Sequence, residues 1–278
     1  MTGFSADWLQ LRETIDRRSR NAAVSAALHA ALAARCEITV VDIGCGTGAN
    51  LRATAPLLGA RQDWTLVDND MELLRHAREA LSGWADTVVS DSKGLALTKD
   101  DRSIRVRFRH ADVALDPDSA LGDRVDLVTA SAFFDLVSQS FIERFVAAIA
   151  HRTAAFYAVL TYNGVQDWLP PRAEDDRFRQ AFNVHQAGDK GFGPAAGARA
   201  FAILANACNA AGYRVEVGAS PWRINRDDDA LMRELAEGAA AAVAATGLID
   251  AATLEAWRAY SRSGVVVGHD DLLALPAR

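Results

Sequence analysis

The segment from residue 38 to residue 48 constrains this chain most strongly. It reads Ile-Thr-Val-Val-Asp-Ile-Gly-Cys-Gly-Thr-Gly, an apolar run followed by glycines at alternate positions, Gly44, Gly46 and Gly48. The apolar run predicts a buried strand, and the glycines permit a sharp turn into a helix because they lack a Cβ. They also let the backbone approach a ligand closely, with the N-terminus of the following helix directed at that ligand. The segment therefore predicts a ligand-binding loop between a strand and a helix.

Asp42 indicates which kind of ligand this loop binds. It lies two residues before the first glycine. A carboxylate in that position repels a pyrophosphate but attracts a cation, such as a ligand that carries an amino group and a sulfonium. Dinucleotide dehydrogenases use the spacing Gly-x-Gly-x-x-Gly. That pattern is absent here, because Leu51 follows Gly46 and Gly48 where the last glycine would fall.

The segment from Asp42 to Gly48 resembles the first motif of class I S-adenosylmethionine-dependent methyltransferases, acid-x-Gly-x-Gly-x-Gly. The resemblance implies an α/β fold with a Rossmann-like, seven-stranded, mostly parallel sheet that carries helices on both faces. It implies S-adenosylmethionine as methyl donor and S-adenosylhomocysteine as product, with no metal. Its expected cofactor-binding residues in this loop are Asp42, Gly44, Cys45, Gly46 and Gly48. Cys45 is interpreted as a small packing residue and not as a nucleophile.

A second apolar run ends in Asp68, 20 residues after Gly48, with Asn69 next to it. An acid at this distance behind a glycine loop is typical of a ribose-binding carboxylate, which can accept both hydroxyl protons of a diol. The alternative is that Asp68 caps a helix that starts at Met71, a role for which Asp70 competes. Behind this loop, the ribose interpretation is favoured for Asp68, with Asn69 beside it.

Two later strand ends complete the predicted cofactor site. In the family, an acid after the third strand commonly meets the adenine amino group, and Asp112 with Val113 matches that place. The alternative for Asp112 is a turn aspartate. Ser131 ends the predicted fourth strand, where donor and substrate meet in the family. The polar residues 90–105 are expected to form a loop.

The N-terminal segment offers one more cofactor contact. Arg12, Asp16 and Arg20 are four residues apart and so share one face of a predicted helix. They form either a salt-bridge ladder, together with Glu13 and Arg17, or a site where Arg20 or Arg12 meets the methionine carboxylate of the donor. Some bacterial methyltransferases start with a similar Trp-Leu-x-Leu-Arg-Glu sequence.

Two residues are candidates for catalysis. His185 lies in the segment 163–195, which is rich in Gly, Pro, Asp and Arg and is expected to be an irregular substrate lid. A histidine pKa suits a general base at neutral pH. Tyr162 follows the predicted fifth strand and offers a flat wall and a hydroxyl, or else is a half-buried strand-end residue. The other histidines, His269 among them, are interpreted as structural.

The chain is expected to divide into an N-terminal helical cap, residues 1–35, and a methyltransferase domain, residues 36–278. Within that domain, residues 163–195 are the lid and residues 227–262 a helical insertion before the last strand. Strands that alternate with helices predict a parallel sheet covered on both faces. The predicted strands are 38–43, 64–68, 104–109, 125–130, 154–161, 213–217 and 264–268.

Composition limits the partners. The net charge of −6 argues against a broad phosphate-binding surface and hence against nucleic acid. Three cysteines without paired spacing give no metal or disulfide framework, and no run of 18 apolar residues predicts a membrane span. The expected setting is the cytoplasm, with a small-molecule substrate, no membrane partner, and a homodimer left open.

The implied reaction is in-line displacement, in which an oxygen or nitrogen nucleophile attacks the sulfonium methyl. A base is needed only for a hydroxyl or a protonated amine, and the acceptor atom stays open. Two alternatives remain at this point. One is a non-catalytic S-adenosylmethionine-binding or interaction protein, and the other, against which Asp42 and the glycine spacing speak, is a nicotinamide-dependent dehydrogenase.

Overall fold

The computed structural model describes residues 4–277, which form one continuous ten-stranded sheet with helices packed against it. The strands are β1 (Ile38–Ile43), β2 (Arg61–Asp68), β3 (Thr87–Asp91), β4 (Gly94–Lys99), β5 (Arg102–His110), β6 (Leu127–Ser131), β7 (Ala155–Leu169), β8 (Tyr213–Ala219), β9 (Trp222–Asn225) and β10 (Gly264–Pro276). The helices are α1 (Ala6–Ser19), α2 (Ala22–Leu32), α3 (Ala49–Thr54), α4 (Met71–Trp84), α5 (Pro117–Leu121), α6 (Gln139–His151), α7 (Asp175–Gln186), α8 (Ala200–Ala210), α9 (Asp229–Thr246) and α10 (Ala251–Arg258).

The strand order is β3-β4-β5-β2-β1-β6-β7-β10-β8, and β9 pairs with β10 beside this path. The five central strands, from β5 to β7, run parallel, whereas every pairing outside them is antiparallel. The order reverses at β1, which lies between β2 and β6. In an open α/β sheet, the ligand crevice forms at the carboxyl ends of the strands at such a reversal. The glycine loop follows β1 and therefore lies at this crevice.

Alternating side chains bury both faces of the central strands. Val40 and its partner Trp64 belong to one apolar cluster, while Val41 and Val67 belong to the cluster on the opposite face. Because successive strand residues point to opposite faces, a run without polar gaps is what a strand covered on both sides requires. This two-sided burial is why the apolar runs at β1, β2 and β6 were readable as strands from the sequence.

The Rossmann-like fold is confirmed, but the sheet has ten strands and not seven. The three additional strands are β3, β4 and β9. The prediction of a loop over residues 90–105 was wrong, because most of that segment lies in the β3–β4–β5 meander. Polar residues misled the prediction: β3 lies at the edge of the sheet and its residues are exposed, so no apolar alternation was needed.

The expectation of an irregular segment over residues 163–195 was also wrong. β7 continues to Leu169, and the segment then forms α7 (Asp175–Gln186) before a short glycine-rich turn. Charged residues obscured the helical period, but two apolar residues of α7, Phe178 and Ala181, are buried three positions apart and fix its inner face. Whether the segment moves as a substrate lid stays a prediction.

Asp271 joins the N-terminal helices to the sheet. Its carboxylate is completely buried and accepts backbone N–H groups from Asn21 at 2.7 Å and from Leu160 at 2.8 Å. The Asn21 side chain in turn caps α2 and donates to the Ala219 carbonyl at 3.0 Å. One carboxylate thus links the start of α2 with β7 and β10. Burial raises the pKa of Asp271, and the hydrogen bonds to it work in the opposite direction.

Asp271→Ala should therefore destabilise the fold by about 2–4 kcal/mol, because it leaves two buried N–H groups without an acceptor. The matched control is the neighbouring Asp270→Ala, which removes one side-chain contact, to Asn163, and should cost about 1 kcal/mol or less. Urea unfolding followed by circular dichroism measures both. Equal losses for the two variants would contradict the role assigned to Asp271.

Candidate cofactor site

The glycine loop turns by using backbone conformations that favour glycine. Gly44, Gly46 and Gly48 have φ values of +59°, +53° and +75°. The Cys45 N–H donates to the Val67 carbonyl at 3.1 Å, and the Gly46 N–H donates to Asp68 Oδ2 at 2.8 Å. Gly48 then begins α3 as its N-terminal cap residue. The loop is thereby fixed to the end of β2 by two backbone donors.

Two side chains cover this loop. A Cβ placed on Gly44 would lie 2.6 Å from Phe133, and one placed on Gly46 would lie 2.9 Å from Leu9. Leu9 belongs to the N-terminal half of α1, and Phe133 follows β6. Glycine is thus required at Gly44 and Gly46 both because these side chains lie so close and because of the backbone conformation. Helix α1 covers the loop.

Asp42 lies beneath the loop and is completely buried. Its Oδ1 accepts the Asn50 side-chain amide at 2.6 Å, and the same amide donates to Thr129 Oγ1 at 3.0 Å. Its Oδ2 has no hydrogen-bond partner. Burial raises the pKa of Asp42 to about 7, against the lowering effects of Asn50 and of the Arg20 charge. A buried carboxylate oxygen without a partner is costly, so Oδ2 marks a place for a donor.

Arg20 connects this carboxylate to the N-terminal helices. One guanidinium nitrogen donates to Asn50 Oδ1 at 2.7 Å and the other to Thr54 Oγ1 at 2.9 Å, whereas Nε is buried without a partner. Asn50 therefore bridges Arg20 and Asp42. The predicted contact of Arg20 with a methionine carboxylate stays a prediction, since its two terminal nitrogens already bind α3.

The predicted salt-bridge ladder on α1 is present only in part. Arg12 Nε donates to Asp16 at 2.8 Å. Glu13, however, does not pair with Arg17; it accepts two hydrogen bonds from Arg52 of α3, at 2.8 and 2.6 Å. A small cavity of about 50 Å³ lies between α1 and α3. Its lining includes Asp16, Arg20, Asn50 and Ser131.

The competition between Asp68 and Asp70 for the helix cap is resolved. Asp70 caps α4, because its carboxylate accepts the N–H groups of Glu72 at 2.8 Å and Leu73 at 3.2 Å. Asp68 instead accepts from Gly46 and from the Asp70 backbone at 3.0 Å. Burial raises the pKa of Asp68, and these two backbone donors oppose the rise.

The remaining predicted cofactor residues lie at the carboxyl ends of neighbouring strands. The Ala111 N–H donates to the Asp68 carbonyl at 3.0 Å, so the end of β5 adjoins the end of β2. Asp112 is exposed and its Oδ1 accepts the Ala114 N–H at 2.9 Å, which is turn geometry, whereas Val113 is buried. Asn69 is exposed. The adenine role of Asp112 and Val113 stays a prediction.

The two catalytic candidates lie on β7 and α7. The Tyr162 hydroxyl donates to Asn183 Oδ1 at 2.9 Å, and burial raises the Tyr162 pKa. His185 lies in the last turn of α7 and not in an irregular loop. Partial burial, helped by the Lys190 charge, lowers the pKa of His185, and its Nδ1 has no partner. Nothing in these contacts assigns either residue a catalytic role.

A buried group of side chains near Tyr162 was missed by the sequence analysis. We call it the polar cluster: Arg12, Asp16, Asp135, Tyr162, Trp222 and His269. Asp135 lies in a buried 3₁₀ turn, Phe134–Leu136, that follows β6, and Ser138 caps α6. His269 was interpreted as structural and is indeed buried. No local pattern could reveal the cluster, because its members come from five separate elements of the chain.

Comparison with known proteins supports the fold and no more. No protein-family model and no curated protein matches the chain. A solved cyclopropane-fatty-acyl-phospholipid synthase-like protein from Lactobacillus casei is similar to it with a TM-score of 0.50 and 12% identity, over 95% of this chain and 99% of that chain. The fold is that of class I S-adenosylmethionine-dependent methyltransferases.

Two further solved structures are similar at lower TM-scores. A cyclopropane synthase from Mycobacterium tuberculosis matches with a TM-score of 0.48 and 13% identity, over 91% of this chain and 83% of that one. A mycolic acid cyclopropane synthase, crystallised with S-adenosylhomocysteine, matches with 0.46 and 14% over the same shares. No helix within residues 4–277 combines the length and apolar character that a bilayer crossing requires.

Asp42 should make stability depend on pH. Its folded pKa of about 7 lies above the unfolded value of 3.8. Its protonated form is therefore favoured by folding, and this stability is present below pH 3.8 and is lost as pH rises through 7. Asp42→Asn should become more stable than the wild type as pH rises from 4 to 8, by up to roughly 4 kcal/mol.

Urea unfolding at several pH values measures this difference. Asp250→Asn is a control whose stability relative to the wild type should change with pH in the opposite direction, because hydrogen bonds from Thr253 lower the pKa of Asp250. The stability that Asp250 contributes is lost as pH falls. A pH-independent difference between Asp42→Asn and the wild type would show that Asp42 is ionised in the folded protein at all these pH values.

Proposed function

We propose that this protein transfers the methyl group of S-adenosylmethionine to a small-molecule acceptor with an oxygen or nitrogen nucleophile. The observation that carries the proposal is the unpartnered, completely buried Asp42 Oδ2 beneath a glycine loop at the point where the strand order reverses. A carboxylate in this place favours a ligand with a positive charge and N–H donors. The methionine part of the cofactor has an ammonium group that meets both requirements.

The residues at the neighbouring strand ends fit the rest of the cofactor. Asp68 is a buried carboxylate whose two oxygens can each accept a further hydrogen bond besides the backbone donors they have, which suits the ribose diol. The glycines carry no side chain, so the backbone of the loop can lie directly against the cofactor. Asp112 and Val113, beside Asp68, are assigned to the adenine. Ser131 is assigned to the point where donor and acceptor meet.

When bound, the cofactor supplies an activated methyl group, so the protein mainly has to position the acceptor and exclude water. Leu9 and Phe133 provide an apolar cover for the loop. Arg12 of α1 lies close enough to Asp135, which follows β6, for its charge to lower the pKa of that carboxyl. Tyr162 and His185 remain the proposed catalytic candidates. Tyr162 would form a wall of the acceptor site, and His185, in the segment proposed as a lid, would act as a base only for an acceptor that must lose a proton.

Access to the loop requires the start of α1 to move. The contacts that fasten α1 to α3 lie at Glu13 and Arg20, whereas Leu9 lies nearer the other end of the helix. The first two turns of α1 can therefore lift from Gly46 while the remainder of the helix stays attached. We propose that this movement accompanies cofactor binding.

Asp68→Ala should weaken S-adenosylhomocysteine binding by at least tenfold, because the ribose hydroxyls lose a charged acceptor worth roughly 1.5–3 kcal/mol per bond. Asp70→Ala is the matched control: it removes a helix cap, worth ~1 kcal/mol of stability, without touching the ribose. Isothermal titration calorimetry measures both affinities. Equal losses would remove Asp68 from the ribose site.

The same titration separates the proposed function from its alternatives. Heat on adding NADH, with none on adding S-adenosylhomocysteine, would favour a nicotinamide enzyme. Cofactor binding without methyl transfer to any acceptor would favour a non-catalytic binding protein. Gly46→Val should strain the loop and abolish binding, because the added side chain meets Leu9 and fills the space of the cofactor. A folded Gly46→Val protein of normal affinity would overturn the assignment of the loop.

Leu9→Ala should bind S-adenosylhomocysteine more tightly, by roughly fivefold, because less apolar contact (about 1 kcal/mol) has to be broken to open the loop. Leu11→Ala is the control, since Leu11 also packs against the core from α1 but does not contact the glycine loop. In the wild type, hydrogen exchange of the first two turns of α1 should change on binding, and that of its last turn should not. Unchanged affinity of Leu9→Ala together with unchanged exchange would show that α1 does not move.

A further inference from the structure

The polar cluster connects five elements around the guanidinium of Arg12. Arg12 pairs with Asp16 at 2.8 Å on α1, and its Cζ lies 5.2 Å from the centre of the Trp222 ring on β9. The rings of Trp222 and His269 are 4.9 Å apart, and those of His269 and Tyr162 are 6.1 Å apart. The charge of Arg12 and the backbone N–H of Tyr162 both act to lower the pKa of Asp135. These contacts form one connected group.

Four polar atoms of this group are buried without a hydrogen-bond partner. They are Asp16 Oδ1, Asp135 Oδ1, Trp222 Nε1 and His269 Nδ1. The exposed fractions of these residues are only 8%, 8%, 3% and 6%. Leaving such a group unpaired costs about 1–3 kcal/mol, and native proteins contain only a few per 100 residues. Four in one cluster therefore mark a place where polar partners are missing.

The charges of the cluster do not balance. Arg12 carries one positive charge, while Asp16 and Asp135 supply two carboxylates. Burial, with a contribution from Arg12, lowers the pKa of His269 to about 3, so the imidazole adds no charge at neutral pH. Burial raises the pKa of Asp135 to about 6, so at pH 7.5 it is still mostly ionised. Asp167 and Arg179, which act on Tyr162 from β7 and α7, have opposite signs. One buried negative charge is left without a dedicated partner, and such a charge is costly.

A ligand that corrects this imbalance has a positive charge and several N–H donors. Two carboxylate oxygens and a neutral imidazole nitrogen can accept, and an ammonium group has three protons to give. The Trp222 N–H remains to donate to an oxygen of the same ligand. A bare anion or an uncharged alcohol would leave the spare carboxylate uncompensated.

We propose that the polar cluster binds the primary ammonium group of the methyl acceptor, so that the substrate is a small amine. The assignment to the acceptor rests on the proposed function. It also rests on position. Asp16 lines the small cavity together with Arg20 and Ser131. Asp135 follows the end of β6, and Tyr162 lies in β7 beyond Val159, the last residue of β7 that pairs with β6. The cluster is thus adjacent to the candidate cofactor site but is built from different residues.

Benzylamine and its uncharged analogue benzyl alcohol test the proposal. Titration calorimetry at pH 7.5 should show benzylamine binding at least tenfold more tightly to the wild type, with and without saturating S-adenosylhomocysteine. Asp135→Asn should lose roughly tenfold or more, as expected for a hydrogen bond to a charged group. Trp222→Phe, which keeps a ring but removes the N–H, should lose about fivefold for an amine that also carries an oxygen, such as 2-phenoxyethylamine, and little for benzylamine.

Matched controls carry the same substitutions outside the cluster. Asp63 and Trp168 also contain unpartnered buried atoms, so Asp63→Asn and Trp168→Phe should bind benzylamine as the wild type does. Thermal unfolding verifies that each variant is folded, and if Asp135→Asn is not, the benzyl alcohol comparison and Trp222→Phe carry the test.

The outcomes separate this proposal from the proposed function. Equal affinity for benzylamine and benzyl alcohol, or wild-type affinity in a folded Asp135→Asn protein, would overturn the ammonium site. If S-adenosylhomocysteine binds normally in that case, the proposed function stands. If benzylamine binds as expected but S-adenosylhomocysteine does not bind at all, the ammonium site stands and methyl transfer is overturned.

Discussion

The buried carboxylate of Asp42 is the constraint on which the arrangement of the site depends. It lies one residue before the end of β1, beneath the glycine loop, and Asn50 links it to Arg20 through hydrogen bonds of 2.6 and 2.7 Å. A charge in that position can be tolerated only if its surroundings hold donors near it. Asn50 of α3 and Arg20 after α1 supply that support for one oxygen. The N-terminal helices are therefore part of the electrostatic environment of the loop.

This arrangement makes α1 common to both candidate sites. Leu9 covers the glycine loop, while Arg12 and Asp16, one turn and two turns later, belong to the polar cluster. Since a helix is a stiff element, a movement that lifts Leu9 also displaces Arg12 unless the helix bends between them. Occupation of the loop and occupation of the cluster are then energetically coupled, because both ligands act on the position of one helix.

The sequence predicted those parts of the fold that local physics determines. β1 was predicted with its observed bounds, because a strand buried on both faces has a continuous apolar run and its glycines mark the turn. The β3–β4 hairpin was not predicted, because an exposed edge strand such as Thr87–Asp91 has no apolar alternation to detect. Helix α7 was not predicted either, because its buried face is narrow and its exposed face is densely charged. The competition between Asp68 and Asp70 could not be decided from spacing alone, since both residues could reach the helix start.

The polar cluster shows the limit of motif reasoning most clearly. Asp135 and His269 are 134 positions apart in the chain, and neither belongs to a pattern that suggests chemistry. Their significance comes only from the fold, which buries both residues near the charge of Arg12 and leaves one atom of Asp135 and one of His269 without a partner. In the unfolded chain, water satisfies every one of these atoms; in the folded chain only a bound molecule or ordered water can do so. Folding therefore costs the hydrogen bonds that these atoms make with water. A ligand that supplies the missing donors and the missing positive charge recovers that free energy when it binds.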